Sequence, residues 1–160
     1  MTDKIVLGTA QLGLNYGINN RIGKPSSEDS YKIIKTAWEQ GIRYFDTAQS
    51  YGNSEVILGS AIKNLGIQDQ TFIISKIKGI LANVDEGELL GNIEKSLKAL
   101  NVEKLYGLLL HDYLNLDLWS DSVIKIIKKI RIDSIAEKIG ISVYNYKDAL
   151  RALDIDEISM

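Results

Sequence analysis

The one histidine of this chain, His111, stands where the apolar run Leu105-Tyr-Gly-Leu-Leu-Leu110 gives way to polar residues. Two other apolar runs end in the same manner. Ile42-Arg-Tyr-Phe45 leads into Asp46, with Tyr51 five residues on, and Phe72-Ile-Ile-Ser75 leads into Lys76. Tyrosine gives up its proton reluctantly, titrating at about pH 10 in water. An ammonium beside a phenol favours loss of that proton and makes it a better acid. A carboxylate allows the ammonium to be buried with its charge. An imidazole can donate a hydrogen bond to a carbonyl oxygen and steady the negative charge that develops there. Together these four groups suit delivery of a proton to a carbonyl oxygen. Each also has a plainer reading: a structural histidine, a loop-capping aspartate, a core tyrosine, a lysine reaching solvent. Their joint occurrence at the ends of three similar runs favours one shared site.

Such a site requires the runs to be parallel strands, because the carboxyl ends of the strands form one face of a parallel α/β barrel. Short β-rich runs do alternate with longer helical patterns, the order of successive βα units. Strands are expected at about Lys4–Gly8, Arg43–Asp46, Phe72–Lys76, Leu105–His111 and Lys138–Val143, with a sixth beginning near Glu157. Between them, Ile34, Ala37 and Trp38 share a helix face, as do Leu58, Ala61, Ile62 and Leu65, and as do Leu90, Ile93, Leu97 and Leu100. Ser26 with Asp29 forms a capping pair for the first long helix, and Gly41 suits its end. No linker or composition shift divides the chain, so residues 1–160 read as one barrel-type α/β domain of about five and a half βα units.

In order, the segments Phe45-Asp-Thr-Ala-Gln-Ser-Tyr-Gly52, Ile73-Ile-Ser-Lys76 and Leu108-Leu-Leu-His-Asp-Tyr113 resemble the catalytic tetrad of the aldo-keto reductase family, over about Lys4 to Met160. The resemblance implies a (β/α)8 barrel that reduces an aldehyde or ketone to an alcohol with a nicotinamide cofactor. Tyr51 would then be the general acid, Lys76 and Asp46 its electrostatic partners, and His111 the residue that orients the substrate carbonyl.

The resemblance also implies a cofactor site. Gly8-Thr9-Ala10 is similar to the family's segment beside the nicotinamide, where small residues let the ring lie against backbone; a tight turn needing Gly8 is the alternative. After the fifth strand the family often carries a serine-asparagine pair for the carboxamide. Ser142 matches, but Val143 stands in place of the asparagine, and Asn145 is too displaced to serve. The family's phosphate-binding loops follow the sixth strand, so NADP(H) is implied with no phosphate site to point to, and NAD(H) stays open. A barrel of this kind takes about 250 residues or more, so the 160-residue chain is expected to be incomplete. Were it naturally this short, open strand edges would favour self-association.

Other chemistry finds little support. Gly17 to Gly23 followed by Lys24 has one residue too many for a phosphate loop, and Pro25 occupies its Ser/Thr position. The G-x-G-x-x-G dinucleotide fingerprint does not occur. One histidine and no cysteine leave only carboxylates as metal ligands, and Asp46 and Asp112 better suit the tetrad and a loop turn, so no metal is expected. Nineteen basic and 21 acidic residues leave a net charge of −2, which gives no footprint for nucleic acid or anionic membrane. Lys125, Lys128, Lys129 and Arg131 fall between isoleucines and suit a solvated helix face. No apolar run approaches the roughly 18 residues of a membrane helix, and cytoplasm is the expected compartment. A small-molecule carbonyl is the expected partner. Tyr16, Tyr113 and Trp119 could line its pocket or pack the loops. The competing reading is a non-catalytic binding or regulatory subunit, or an inactive remnant, that keeps the scaffold.

Overall fold

The computed structural model describes residues 5–79 and 85–160. Five strands form one wholly parallel sheet in sequential order: β1 (Val6–Gly8), β2 (Tyr44–Asp46), β3 (Phe72–Ile77), β4 (Leu105–Leu110) and β5 (Ala136–Ile141). Helices alternate with them: the single turn α1 (Ala10–Gly13), then α2 (Ser27–Glu39), α3 (Ser54–Leu65), α4 (Glu86–Leu100), α5 (Asp121–Ile132) and α6 (Tyr146–Leu153). Parallel neighbours in chain order, each joined by a helical crossover, are the βα succession of a (β/α)8 barrel.

Local chemistry sets the helix ends. Ser26 caps α2, its Oγ accepting from the Asp29 amide at 3.1 Å and donating to Asp29 Oδ2 at 2.7 Å. Gly41 follows with φ of 88°, and its amide donates to Trp38 O. Asp85 caps α4 through the amides of Gly87 and Glu88. One sheet face packs against the helices through Phe45, Ile73, Leu108 and Ile139, which meet Ile34, Leu58, Ile62, Ile93 and Ile127. Burying a large aliphatic or aromatic side chain contributes about 1.5–3 kcal/mol, so this layer sets the strand positions.

Three expectations shift. The buried line of α4 is Leu89, Ile93, Ser96 and Leu100, with Leu90 and Leu97 only partly covered; a hydrogen-bonding group at Ser96 takes a place that apolar spacing alone assigns to leucine. β5 begins at Ala136, two residues earlier than expected, because Ile135 O accepts from Leu105 N and draws the segment into the ladder. The sixth run makes no strand. Ser159 N donates to Ile139 O at 2.8 Å, but Arg131 Nη2 takes the Glu157 carbonyl at 2.7 Å, so one rung does not extend into a ladder. The expected start of β1 at Lys4 lies outside the described residues.

Candidate active site

Period-two alternation in β2 and β3 sends Phe45, Ile73 and Ser75 to the helix side and leaves Tyr44, Asp46, Phe72, Ile74 and Lys76 on the other face. At the amino ends of the strands this inner face is aromatic: Tyr44 stacks on Phe72 at 4.7 Å, and Tyr106 meets both edge-on. At the carboxyl ends it is charged. Lys76 Nζ lies 2.6 Å and 2.7 Å from the two Asp46 oxygens and 3.0 Å from Thr47 O. Three acceptors thus take up the three N–H groups of an ammonium whose side chain is only 8% exposed. Lys76 therefore acts on its neighbours through charge. The nearest neighbour of interest is Tyr51, whose ring centre is 4.9 Å from Nζ.

Tyr51 sits in the tight segment between β2 and α3. Its carbonyl accepts from Ser54 N at 3.0 Å. On its far side α1 comes so close that a Cβ on Gly13 would fall 1.7 Å from Tyr51 O, and a Cβ on Gly52 would fall 2.5 Å from Gly13 O. Only glycine at both places permits that backbone approach. Beyond Tyr51, the His111 ring stands edge-on at 5.9 Å and 89°. His111 N extends the β3–β4 ladder by donating to Ile77 O at 3.0 Å, and Nδ1 lies 3.0 Å from Ser50 Oγ. Burial and the ammonium groups of Lys76 and Lys78 lower the His111 pKa from its ordinary 6.5, against the opposing pull of Asp46 and Asp112. The ring is accordingly neutral near pH 7.

Asp46, Tyr51, Lys76 and His111, drawn from three separate segments, are thus assembled around one place. The residues singled out beside the first and fifth strands lie differently. Gly8 is exposed and a Cβ there would meet nothing within 4 Å, so open space lies over its backbone. Ala10 is half-buried. Thr9 is fully buried, and its Oγ1 donates to Asp46 O at 2.9 Å and accepts from Ser54 Oγ at 2.7 Å. Its hydroxyl is engaged inside the protein, tying α1 to β2. Ser142 is half-buried, its amide held by Leu110 O at 2.8 Å and its hydroxyl bonded to no described protein group. Asn145 caps α6, its Oδ1 accepting from the Asp148 amide at 3.0 Å and its Nδ2 donating to Asp148 Oδ2 at 2.6 Å. Asp112 caps the 3-10 turn Tyr113–Leu116 through Leu114 N at 2.9 Å.

Of the loop aromatics, Tyr113 lines an open cavity of about 430 Å3 together with Ser50, Lys78, His111 and Tyr144, Tyr16 is exposed beside a separate open hollow of about 530 Å3 with Gln11 and Asn20, and Trp119 packs on the core. The two largest of the other hollows, of about 680 and 610 Å3, lie by the carboxyl ends of α3 and α4 and the amino ends of β3 to β5. That is the face a barrel uses for stability.

Sequence reasoning passed over a second set of polar residues. Glu55, on the first turn of α3, accepts from Ser75 Oγ at 2.6 Å and Ser96 Oγ at 3.2 Å. Gln49 donates to Ser96 Oγ and Asn92 O, both at 2.9 Å, while its amide donates to Lys76 O at 3.1 Å. This network ties α3, β3 and α4 behind the Asp46–Tyr51 loop. The available signal was the density of hydrogen-bonding side chains from Gln49 to Glu55, immediately around Tyr51. Among the described residues there is no group of three or more His, Cys, Asp or Glu that could hold a metal ion, and no helix long and apolar enough to cross a membrane.

Several known proteins resemble this chain. The chain is 28% identical to a D-threo-aldose 1-dehydrogenase from a Pseudomonas species over 84% of its length and 50% of that protein's. It is 33% identical to D-arabinose 1-dehydrogenase of Saccharomyces cerevisiae over 68% of its length and 32% of that protein's. A Schizosaccharomyces pombe protein assigned as a voltage-gated potassium channel subunit beta is 44% identical over 50 residues, 30% of this chain. The chain spans about half the length, or less, of the curated relatives it matches. Among solved structures, one assigned as a Pseudomonas aeruginosa aldo-keto reductase superposes with a TM-score of 0.77 at 26% identity, over 93% of this chain and 59% of that one. A Klebsiella pneumoniae aldo/keto reductase, solved with NADP and acetate, shares the fold at a TM-score of 0.69 and 20% identity, over 91% of this chain and 48% of that one. With the model of the Aldo/keto reductase family matching residues 4–159 as well, this chain belongs to that family.

Proposed function

We propose that this chain carries the catalytic groups of an NADP(H)-dependent reductase that converts an aldehyde or ketone to an alcohol. The observation that carries the reading is the Lys76 ammonium, fixed between both Asp46 oxygens 4.9 Å from the centre of the Tyr51 ring, with His111 edge-on to that ring. When bound, the cofactor supplies the hydride that goes to the carbonyl carbon. Tyr51 gives its phenolic proton to the carbonyl oxygen. Lys76 offsets the charge left on the tyrosine oxygen, and Asp46 keeps the ammonium in place through the exchange. His111, neutral near pH 7, donates to the carbonyl oxygen and aligns it.

The open backbone at Gly8, with half-buried Ala10 close by in the chain, and the uncommitted hydroxyl of Ser142 fit the flat face and the amide of a nicotinamide. Those residues would hold that end of the cofactor, Thr9 from behind through its ties to Asp46 and Ser54. NADP(H) is the proposed cofactor and NAD(H) the alternative. We take residues 1–160 as one barrel-type domain and cytoplasm as its compartment. A regulatory-subunit reading has one short relative in its favour, the channel subunit matched over 30% of this chain.

Cofactor oxidation by the polypeptide that contains this chain, followed with a panel of aldehydes, tests the proposal. Tyr51→Phe should lower turnover by about 10²–10⁴, the range for loss of a general acid, with cofactor affinity little changed. Turnover equal to the unmodified protein's would remove Tyr51 from the reaction. Cofactor binding with no turnover in the unmodified protein would favour the regulatory reading.

A further inference from the structure

Ser50, one residue before Tyr51, carries a hydroxyl that the proposed reaction leaves unused. Its Oγ lies 3.0 Å from Nδ1 of His111, a residue 61 positions away. Among the described residues no other protein group bonds to that hydroxyl, and none bonds to Nε2 of His111. The backbone bond to Ile77 O and the edge-on contact with Tyr51 hold the imidazole where this pairing persists.

A neutral imidazole has one N–H and one lone pair, and the hydrogen bond made by one nitrogen decides which nitrogen carries the proton. Two arrangements are compatible with the Ser50 contact. With the proton on Nδ1, the ring donates to Ser50, the serine's own proton finds no acceptor in the described protein, and Nε2 is left as a lone pair. A lone pair repels a carbonyl oxygen. With the proton on Nε2, Ser50 donates to Nδ1, so the hydroxyl proton and the ring lone pair satisfy each other, and an N–H remains for a ligand. The second arrangement uses every group.

We propose that Ser50 is a positioning residue that holds His111 in the tautomer protonated on Nε2, leaving the ring as a hydrogen-bond donor in the cavity it shares with Tyr113 and Tyr144. The value of that donor for aligning a carbonyl rests on the reductase reading; the tautomer does not.

His111 is the chain's one histidine, so its ring gives an unambiguous spectrum. Long-range 1H–15N correlation on the 15N-labelled chain above neutral pH, with neither substrate nor cofactor, reports which nitrogen is protonated. The expected spectrum has an unprotonated Nδ1 and a protonated Nε2. Ser50→Ala should move the tautomer ratio toward Nδ1–H by about fivefold, the equilibrium effect of one ordinary hydrogen bond, and Ser50→Thr, which keeps the hydroxyl, should restore it. A native ring protonated on Nδ1, a Ser50→Ala ratio equal to the native one, or a Ser50→Thr ring that stays at the Ser50→Ala ratio overturns the proposal. Failure of the reductase reading would show separately, as absent turnover with the tautomer intact.

Discussion

The two walls of the site are built differently. Around Tyr51, β2, β3, α1 and the start of α3 meet backbone to backbone, and the polar groups there are engaged: Lys76 with Asp46 and Thr47, Thr9 with Asp46 and Ser54, Gln49 with Asn92 and Ser96. Beyond β4 and β5 the groups are looser. His111 has one side-chain partner, the Ser142 hydroxyl has none among the described residues, and Tyr144 is 81% exposed. The first wall holds a charged pair in a fixed geometry, which demands neighbours for every atom. The second faces the open cavity, where unused donors and exposed rings are what a ligand can meet. Substitution should therefore cost the fold more in the first wall than in the second.

The largest stability loss is expected at Gly13. A methyl group there would fall on Tyr51 O and on Ser54 N, both backbone atoms that cannot swing aside. Overpacking costs about 1–3 kcal/mol where side chains can adjust and more where they cannot, so Gly13→Ala should cost about 3 kcal/mol or more by chemical denaturation. A loss below about 1 kcal/mol would mean that the two backbones are not held together.

Lys76→Met comes next. It removes the cation and leaves Asp46 charged without its partner. Breaking a fully buried pair costs about 3–5 kcal/mol, and the Asp46 side chain is 28% exposed, so about 2–3 kcal/mol is expected. Lys76→Met in combination with Asp46→Asn should recover part of that loss, because no charge is then left buried. Equal stability of the single and double variants would argue against a coupled pair.

In the second wall the effect on stability is smaller and appears as pH dependence. Burial and the lysines make His111 harder to protonate in the folded chain than in the unfolded one. As pH falls through the ordinary value of about 6.5, the unfolded state takes up the proton first, so the stability present above that value is lost on going down toward the lowered pKa. Urea unfolding at neutral pH and near pH 5 should show a steeper decline for the native chain than for His111→Asn. Identical declines would place His111 in a more exposed setting. The smallest change is expected for Ser142→Ala, within about 0.5 kcal/mol as at an ordinary surface position; cofactor affinity should weaken if Ser142 holds the nicotinamide amide, and unchanged affinity would remove it from that role.

Much of the site's chemistry was legible in the sequence because it follows from local pattern. An apolar run that stops at a polar or charged residue marks a strand end, and three such stops put Asp46, Lys76 and His111 on one face. Ser26 and Asp29 reported the start of α2 in the same local way. Apolar spacing misplaced the α4 line because a serine can be a core residue when its hydroxyl has a hydrogen-bond partner, and that partner, the half-buried Glu55, is 41 residues away. The early start of β5 likewise depends on Ile135 reaching Leu105 across the sheet.

The sequence by itself determined the alternation of strand and helix, the parallel sheet and the residue types at its carboxyl ends, since periodicity and side-chain chemistry act over a few residues. The tertiary structure decided the pairings: Lys76 with both Asp46 oxygens, Gly13 against Tyr51, Ser50 with His111, Glu55 with Ser75 and Ser96. These partners are 20 to 61 residues apart, and their distances depend on strand register and on how far each helix lies over the sheet. A shift of one residue in a strand would turn Lys76 to the helix side and Ser75 to the inner face.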